Sequence, residues 1–361
     1  MAATTIQTPA PIRGVRITPM GKPTFQLPPQ RPQTPTSYFK SPFDPSRHLA
    51  YNAMPSRHTM SEIGYENTGV SQIAVSEPFE LFTPEAVRTM RNEVLSDEVW
   101  DNCRFASSIA ACQLRGMAPK YAKFVYDAWM NPETLRIISG VAGVELVPVM
   151  EYEIGHINIS VNDDPDGKTQ AAPVVGWHKD SYPFVCVLML SDATEMKGGE
   201  TALRTGSGDI MKVRGPQMGS AVVLQGKYID HIALPSTNAR ERITMVTSFR
   251  PKDPMITDDS HLVTVRPISD LNEMYNQWTD YRVEIAQERC HNLIKKLREN
   301  KRVGRDFDVI GVKDKLSDLI KLLTKTRDEI VDPAEYKIED IEEEREQEKE
   351  SQRTKKRARL S

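Results

Sequence analysis

The chain has 361 residues, of which 39% are hydrophobic and 27% are charged, and its formal net charge at pH 7 is −3. This length is ample for one large core with appendages, and the charge does not favour nucleic-acid binding, because such proteins usually carry a basic excess on one face. No run of about 18 apolar residues is present, so we predict neither a transmembrane helix nor a membrane partner.

The cysteines and the N-terminal segment favour a cytoplasmic protein. The four cysteines show neither a disulfide framework nor a CxxC spacing, which is typical of reduced thiols. Residues 1–21 are polar and lack the apolar segment of a secretory signal. The basic run KKRAR at 355–359 leaves a nuclear location as an alternative.

The first part of the chain is rich in proline, threonine and serine, as in PPQRPQTPTS at 28–37. Because prolines remove backbone donors and do not fit a helix interior, we predict a flexible N-terminal arm over residues 1–75.

Two helix starts follow the arm. The tripeptides TPE (83–85) and NPE (131–133) each place a capping side chain before a proline and an acid, and apolar residues recur at helical spacing after both. Residues 109–130 are mixed in character, and we predict that they are partly helical.

Between about 144 and 251 the pattern is that of β-strands. The segments 157–161, 184–190, 221–224 and 243–249 are short, rich in β-branched and aromatic residues, and separated by turn residues. Several short strands of this kind predict an all-β barrel or sandwich.

Helical spacing returns near the C-terminus. Residues 269–299 place an apolar residue every three or four positions, namely Leu271, Met274, Trp278, Tyr281 and Ile285. A second helix is predicted over 313–330. We therefore predict a core domain over 76–268 that includes the N-terminal helices, C-terminal helices over 269–332 packed on that domain, and a charged tail over 333–361.

The segment GWHKD at 176–180 lies in the strand-rich region. On a strand, residues i and i+2 share a face, so His178 and Asp180 can converge on one point. An imidazole nitrogen and a carboxylate oxygen together suit iron(II), and His231, 53 residues later, is the candidate third ligand. We predict that His178, Asp180 and His231 form a catalytic metal site.

Eleven residues after His231, Arg242 and Thr244 lie on one face of a predicted strand. A guanidinium and a hydroxyl on that face form a clamp for a carboxylate, because an arginine inside a dry barrel needs an anion. Dioxygen activation at such a metal site needs two electrons from a second substrate. A 2-oxo acid that chelates the metal and is held by Arg242 would supply them.

The order HxD, distal histidine, then RxT resembles the iron(II)/2-oxoglutarate-dependent dioxygenase superfamily in its prolyl-hydroxylase-like form. The motifs YEIG (152–155), GGET (198–201) and GSAVV (219–223) are similar to segments that surround the site in that superfamily. The resemblance covers about residues 144–251. It implies a mainly β, double-stranded β-helix (jelly-roll) core with flanking N- and C-terminal α-helices, iron(II) as cofactor, and 2-oxoglutarate and O2 as co-substrates.

The chain departs from this pattern on the strand after HxD. Animal-type prolyl hydroxylases carry there a tyrosine that helps to hold the co-substrate, whereas residues 187–190 are apolar here. Co-substrate binding would then rest on Arg242 with Thr244, and Tyr152 and Asn158 are further candidates. His156 is interpreted as a core or surface residue, and Arg240 as an exposed one. Candidates for lining the substrate pocket are Trp177, Tyr182 and Arg204.

The resemblance implies that the protein hydroxylates, desaturates or cyclises a small organic molecule, with succinate and CO2 as co-products. Two alternatives remain: a protein side-chain hydroxylase, and a non-catalytic β-helix scaffold protein. The sequence makes no prediction of the substrate's identity or of the oligomeric state.

Overall fold

The structure is a computed structural model that describes residues 32, 41–107, 110–161, 176–213, 217–239 and 241–332. The predicted charged tail, its KKRAR run, Arg240 and most of residues 1–40 lie outside the described residues. The helices are α1 (Pro45–His48), α2 (Pro84–Val94), α3 (Asp97–Asn102), α4 (Lys123–Met130), α5 (Pro132–Ala142), α6 (Leu271–Arg302) and α7 (Val309–Asp328). The strands are β1 (Arg57–Thr59), β2 (Ile73–Ser76), β3 (Phe79–Glu80), β4 (Arg104–Ser107), β5 (Ala110–Leu114), β6 (Leu146–Pro148), β7 (His156–Val161), β8 (Phe184–Met189), β9 (Lys197–Gly198), β10 (Thr201–Arg204), β11 (Ile210–Val213), β12 (Ser220–Leu224), β13 (His231–Ala233), β14 (Ser236–Thr237) and β15 (Glu241–Pro251).

Antiparallel sheets dominate the fold. Among the described residues, one large sheet has the order β1-β2-β12-β8-β15-β7-β5-β4, with β3 paired to β12 and β6 paired to β15. A smaller sheet has the order β11-β10-β13, and β14 pairs with β9. Residues from the large sheet and from the smaller sheet line one open cavity.

The side chains of β15 alternate between the two faces of the large sheet. Ile243, Met245 and Phe249 are buried in a core cluster that they share with residues of α2, α4 and α5. The intervening residues Arg242 and Thr244, followed by Val246 and Ser248, line the cavity instead. Because successive strand residues point to opposite faces, one sheet both packs on helices and builds the cavity wall.

The two helix starts that the sequence predicts are confirmed. Thr83 caps α2 by accepting a hydrogen bond from the backbone of Ala86, and Asn131 caps α5 by accepting one from Glu133. The α5 helix ends at Gly143, which adopts the left-handed conformation (φ 72°) that favours glycine at this position.

The predicted C-terminal helices correspond to α6 and α7. Met274, Trp278, Tyr281 and Ile285 of α6 pack with buried residues of the core, including Tyr152 and Tyr182. This packing is what the three- and four-residue spacing predicts. No helix among the described residues combines the length and the apolar character needed to cross a bilayer.

Two features differ from the sequence-based expectation. First, β1 and most of β2 lie within the predicted flexible arm, yet they join the large sheet through the pairing of β2 with β12, because strand pairing set by distant residues overrides local propensity. Second, Tyr152 and Glu153 of YEIG lie in a short 3-10 turn, Glu151–Glu153, although the pattern of residues 144–251 predicts strands. The segment 109–130, predicted to be partly helical, begins as β5 and is helical in α4, so that prediction is confirmed.

Candidate metal and co-substrate site

The three predicted metal ligands lie together. His178 forms an isolated β-bridge with His231, so the two imidazoles stand side by side, and Asp180 lies two residues beyond His178. His178 Nε2 is 3.5 Å from Asp180 Oδ1, and His231 Nε2 is 3.4 Å from Asp180 Oδ2. Ligand atoms of the three residues, one from each, lie within 4.8 Å of one another, so together they could hold one metal ion.

The other nitrogen of each imidazole is tied to the backbone. His178 Nδ1 lies 2.7 Å from the carbonyl oxygen of Gly176, and His231 Nδ1 lies 3.0 Å from that of Ile229. A carbonyl accepts a hydrogen bond, so in both rings Nδ1 carries the proton and Nε2 presents its lone pair. Such bonds orient metal-binding histidines in many proteins.

The environment of Asp180 also fits a cation. Its Oδ2 atom is buried without a hydrogen-bond partner among the described residues. Burial works to raise the pKa of Asp180, but the charges of His231 and His178 bring it down to about 2. Asp180 is therefore a carboxylate at neutral pH, and a cation would satisfy its orphaned oxygen.

The pKa values of the two histidines are shifted in opposite directions. For His178, burial works to lower the pKa, but the hydrogen bond and the charge of Asp180 outweigh it, so the pKa is raised. For His231, burial dominates and the pKa is lowered. Two imidazoles and one carboxylate are the donor set of the facial triad that holds iron(II) with open positions, so the residues present fit this metal.

Arg242 lines the same cavity and is 5% exposed. Its Nη2 donates to the carbonyl oxygen of Gly199 at 3.3 Å, and its Nε has no partner in the described part of the chain. Burial lowers the pKa of Arg242 to about 10, which leaves the guanidinium charged at neutral pH. No carboxylate among the described residues forms an ion pair with this guanidinium. The cavity therefore presents a positive charge that could bind an anionic ligand.

Thr244 and Asn158 stand next to each other in the same cavity, as a register pair between β15 and β7. Tyr152 does not join them. Its ring packs against α6, and its hydroxyl accepts a hydrogen bond from the backbone of Asp270 at 2.7 Å. The structure thus brings Arg242, Thr244 and Asn158 together and places Tyr152 outside the cavity, because the 3-10 turn directs this residue toward the C-terminal helix.

His156 lies in the cavity, opposite Val246 of β15, although the sequence favoured a core or surface position. Trp177 and Tyr182 line the cavity as well. Arg204 does not line it, but its guanidinium lies 4.8 Å from the centre of the Trp177 ring.

Sequence reasoning missed the part of the cavity formed by Gln113, Arg115 and Glu153. The signal for the first two was the alternation of Gln113 and Arg115 around Leu114, which is the period of a strand with one polar face. Glu153 had no local signal, because its position depends on the turn before β7.

No protein-family model matches this chain, and no curated protein matches it. Among solved structures, the chain is similar to a prolyl-4-hydroxylase from Pseudomonas putida, with 18% identity over 50% of this chain and 93% of that one and a TM-score of 0.34. It is also similar to a 2OG-Fe(II) oxygenase family oxidoreductase from Burkholderia pseudomallei, with 15% identity over 42% of this chain and 76% of that one and a TM-score of 0.32. A third similarity is to SnoN, an alpha-ketoglutarate-dependent epimerase from nogalamycin biosynthesis, with 12% identity over 49% of this chain and 78% of that one and a TM-score of 0.36. A structure described as a 2OG-Fe(II) oxygenase family oxidoreductase is thus among those that this chain resembles.

Proposed function

We propose that this protein is an iron(II)- and 2-oxoglutarate-dependent oxygenase that oxidises a small organic molecule within a double-stranded β-helix core. The observation that carries the proposal is the shared cavity. The three candidate metal ligands line it, and so does the guanidinium of Arg242, which has no ion-pair partner among the described residues, so one cavity offers a cation site and an anion site.

The residues have distinct roles in this proposal. His178, Asp180 and His231 would hold iron(II) through Nε2, a carboxylate oxygen and Nε2. Arg242 would bind the far carboxylate of 2-oxoglutarate, with the Thr244 hydroxyl beside it. When bound, iron(II) would supply coordination positions for O2 and 2-oxoglutarate, and 2-oxoglutarate would supply two electrons by losing CO2 to become succinate. One oxygen atom enters succinate, and the other enters the substrate as a hydroxyl group in the hydroxylation reaction.

The size of the cavity supports a small substrate. Its volume is about 320 Å³, at the low end of the range for small-molecule sites. 2-Oxoglutarate would take up part of this space. Apolar residues such as Val185, Val187 and Val246 form part of the wall and would exclude water from the reacting groups.

Succinate formation tests the proposal. Protein loaded with iron(II) should convert 2-oxoglutarate to succinate slowly even without its substrate, and single His178→Ala, Asp180→Ala and His231→Ala variants should not. The thermal midpoint of each variant should stay near that of the wild type, because the core packs independently of the ion. Wild-type turnover by Asp180→Ala would overturn the metal assignment. Absence of succinate from the wild type would favour a non-catalytic scaffold.

A further inference from the structure

A second group of polar side chains lines the cavity from β5, from Arg115 directly after it, and from β7, and it includes none of the three candidate metal ligands. Gln113 pairs in register with Asn158, and Leu114 pairs with Ile157, so Arg115 and His156 are the next cross-strand neighbours. All four polar residues face the cavity, and we refer to them as the β5–β7 patch: Gln113, Arg115, His156 and Asn158.

Arg115 of the β5–β7 patch belongs to a buried charge pair with Glu153, which lies just before β7. Arg115 is 2% exposed and forms an ion pair with Glu153, which is 1% exposed. The hydroxyl of Tyr182 donates to Glu153 Oε1 at 3.1 Å. Arg115 Nε is buried and has no hydrogen-bond partner among the described residues. Placing an ion pair in a buried cavity is unfavourable unless every polar atom is satisfied, so this unpartnered donor points to a ligand.

Hydrogen bonds within the patch orient the histidine. Gln113 Nε2 donates to Asn158 Oδ1 at 2.6 Å, and Asn158 Nδ2 lies 3.5 Å from His156 Nε2. His156 Nε2 is then the acceptor, so Nδ1 carries the proton of the neutral ring. His156 Nδ1 and Gln113 Oε1 are both buried without a partner in the described part of the chain.

Arg115, the charged member of the patch, lies away from the anion site of Arg242, whereas Asn158 is the register partner of Thr244 beside that site. Arg242 pairs with Ser160 of β7, whereas Arg115 is the neighbour of His156, four residues earlier on that strand. At about 3.3 Å per residue, this separation is about 13 Å between the backbone positions. Asp180 is close enough to His156 and Glu153 for its charge to act on the pKa of both groups. The cavity therefore has one polar end at Arg242 and another on the side of Asp180.

We propose that the β5–β7 patch, together with Glu153, is the substrate head-group subsite, and that it binds a free α-amino acid. The inference rests on the proposed function, because it assigns the substrate class of the same cavity. Arg115 Nε and His156 Nδ1 are donors for the carboxylate of the amino acid. Gln113 Oε1 and the Glu153 carboxylate accept from its ammonium group.

Charge balance distinguishes this ligand from a simple acid or amine. Arg115 and Glu153 contribute one charge of each sign, and a zwitterion adds one of each sign. A ligand with only a carboxylate, or only an amine, would leave one uncompensated charge in a buried space. The side chain of the amino acid would then extend toward Asp180 and the metal, where it is oxidised.

Binding of free amino acids tests this inference. The iron(II)- and 2-oxoglutarate-loaded protein is titrated without oxygen with each of the twenty L-amino acids, and those that bind are then tested for stimulation of succinate formation in air. At least one amino acid should bind and stimulate. The analogues that lack its amino group or its carboxylate should bind about 10- to 100-fold more weakly, since each loses a hydrogen bond to a charged group.

Paired substitutions test the subsite itself. The double variant Arg115→Gln/Glu153→Gln removes both charges without leaving one unpaired, and it should weaken amino-acid binding about 10- to 100-fold while 2-oxoglutarate binding stays unchanged. The matched control is Arg91→Gln/Glu241→Gln, which removes the ion pair between Arg91 and Glu241, two residues that do not line the cavity. Should the first double variant fail to fold, Gln113→Leu removes one acceptor and should weaken binding about tenfold.

The outcomes separate this inference from the function on which it rests. A wild-type protein that binds 2-oxoglutarate and forms succinate, but binds none of the amino acids, overturns the inference and leaves the oxygenase assignment standing. Equal binding of the deaminated analogue, or wild-type affinity in the charge-free and Gln113→Leu variants, also overturns it. A protein that neither binds 2-oxoglutarate nor forms succinate contradicts the oxygenase assignment itself.

Discussion

Gly226 lies directly against Asp180, and a Cβ atom added to Gly226 would stand 1.7 Å from Asp180 Oδ2. The backbone amide of Asp180 also donates to the carbonyl oxygen of Gly226 at 3.0 Å. The segment between β12 and β13 therefore holds the carboxylate in place, and only glycine leaves room for it there.

Gly226→Ala should consequently displace the Asp180 carboxylate. We expect iron(II) affinity to fall about 10- to 100-fold, the usual effect of disturbing a group that orients a ligand. Titration of iron(II) without oxygen measures this loss. Gly140→Ala is the control, since the nearest atom to its new Cβ would be Met54 Cε at an ordinary 3.5 Å. Equal iron affinity in both variants would show that the carboxylate tolerates displacement.

Arg242→Ala should raise the 2-oxoglutarate concentration required for binding by about 30- to 1000-fold, because a charge-assisted contact of about 2–4 kcal/mol is lost. Iron affinity should change little, since Arg242 does not contact the triad. The metal-to-ligand charge-transfer band, followed without oxygen, measures the titration. Arg240→Ala should leave the 2-oxoglutarate concentration required for binding nearly unchanged. If Arg240 proves critical and Arg242 dispensable, the anion site belongs to Arg240.

The buried histidine of the cavity predicts a pH dependence of stability. Burial lowers the pKa of His156 to about 3, and Arg115 acts in the same direction. An unfolded histidine has a pKa of about 6.5, so between these values the unfolded chain binds a proton that the folded protein does not. The free energy of unfolding should therefore rise with pH up to about 6.5, by at most about 1.4 kcal/mol per pH unit from this residue.

His156→Gln should remove this contribution. Denaturant unfolding of the metal-free protein, measured from about pH 5 to about pH 7, should give a shallower pH dependence for the variant than for the wild type. Parallel curves would mean that His156 is protonated in the folded protein at these pH values.

The C-terminal helices should be needed for the stability of the core. Trp278 of α6 is fully buried, and its Nε1 donates to the carbonyl oxygen of Thr326 in α7 at 3.1 Å. Trp278→Ala should lower the free energy of unfolding by about 3–5 kcal/mol. Val283→Ala, at a 49% exposed position of the same helix, should change it by less than about 0.5 kcal/mol. Similar effects of both substitutions would show that α6 unfolds independently of the core.

The sequence by itself determined the features that depend on short spacing. Capping residues start α2 and α5 where the sequence predicts, because a cap and its amide partner are two or three residues apart. The HxD spacing places His178 and Asp180 together, and the alternation along β15 brings Arg242 and Thr244 into the cavity. The caps and the β15 alternation follow from the geometry of one helix or one strand. His178 and Asp180 lie close together outside any strand, at an isolated bridge between His178 and His231, so the strand predicted for the HxD segment is wrong.

Only the tertiary structure decided which distant residues share the cavity. Gln113 and Arg115 enter it because β5 pairs with β7, and that register depends on contacts between separate strands. His156 enters it because Val246 is its partner on β15. Tyr152 leaves it because a 3-10 turn directs its side chain toward α6. Local sequence specifies which face of an element is polar, but the packing of elements remote in the chain decides what that face meets.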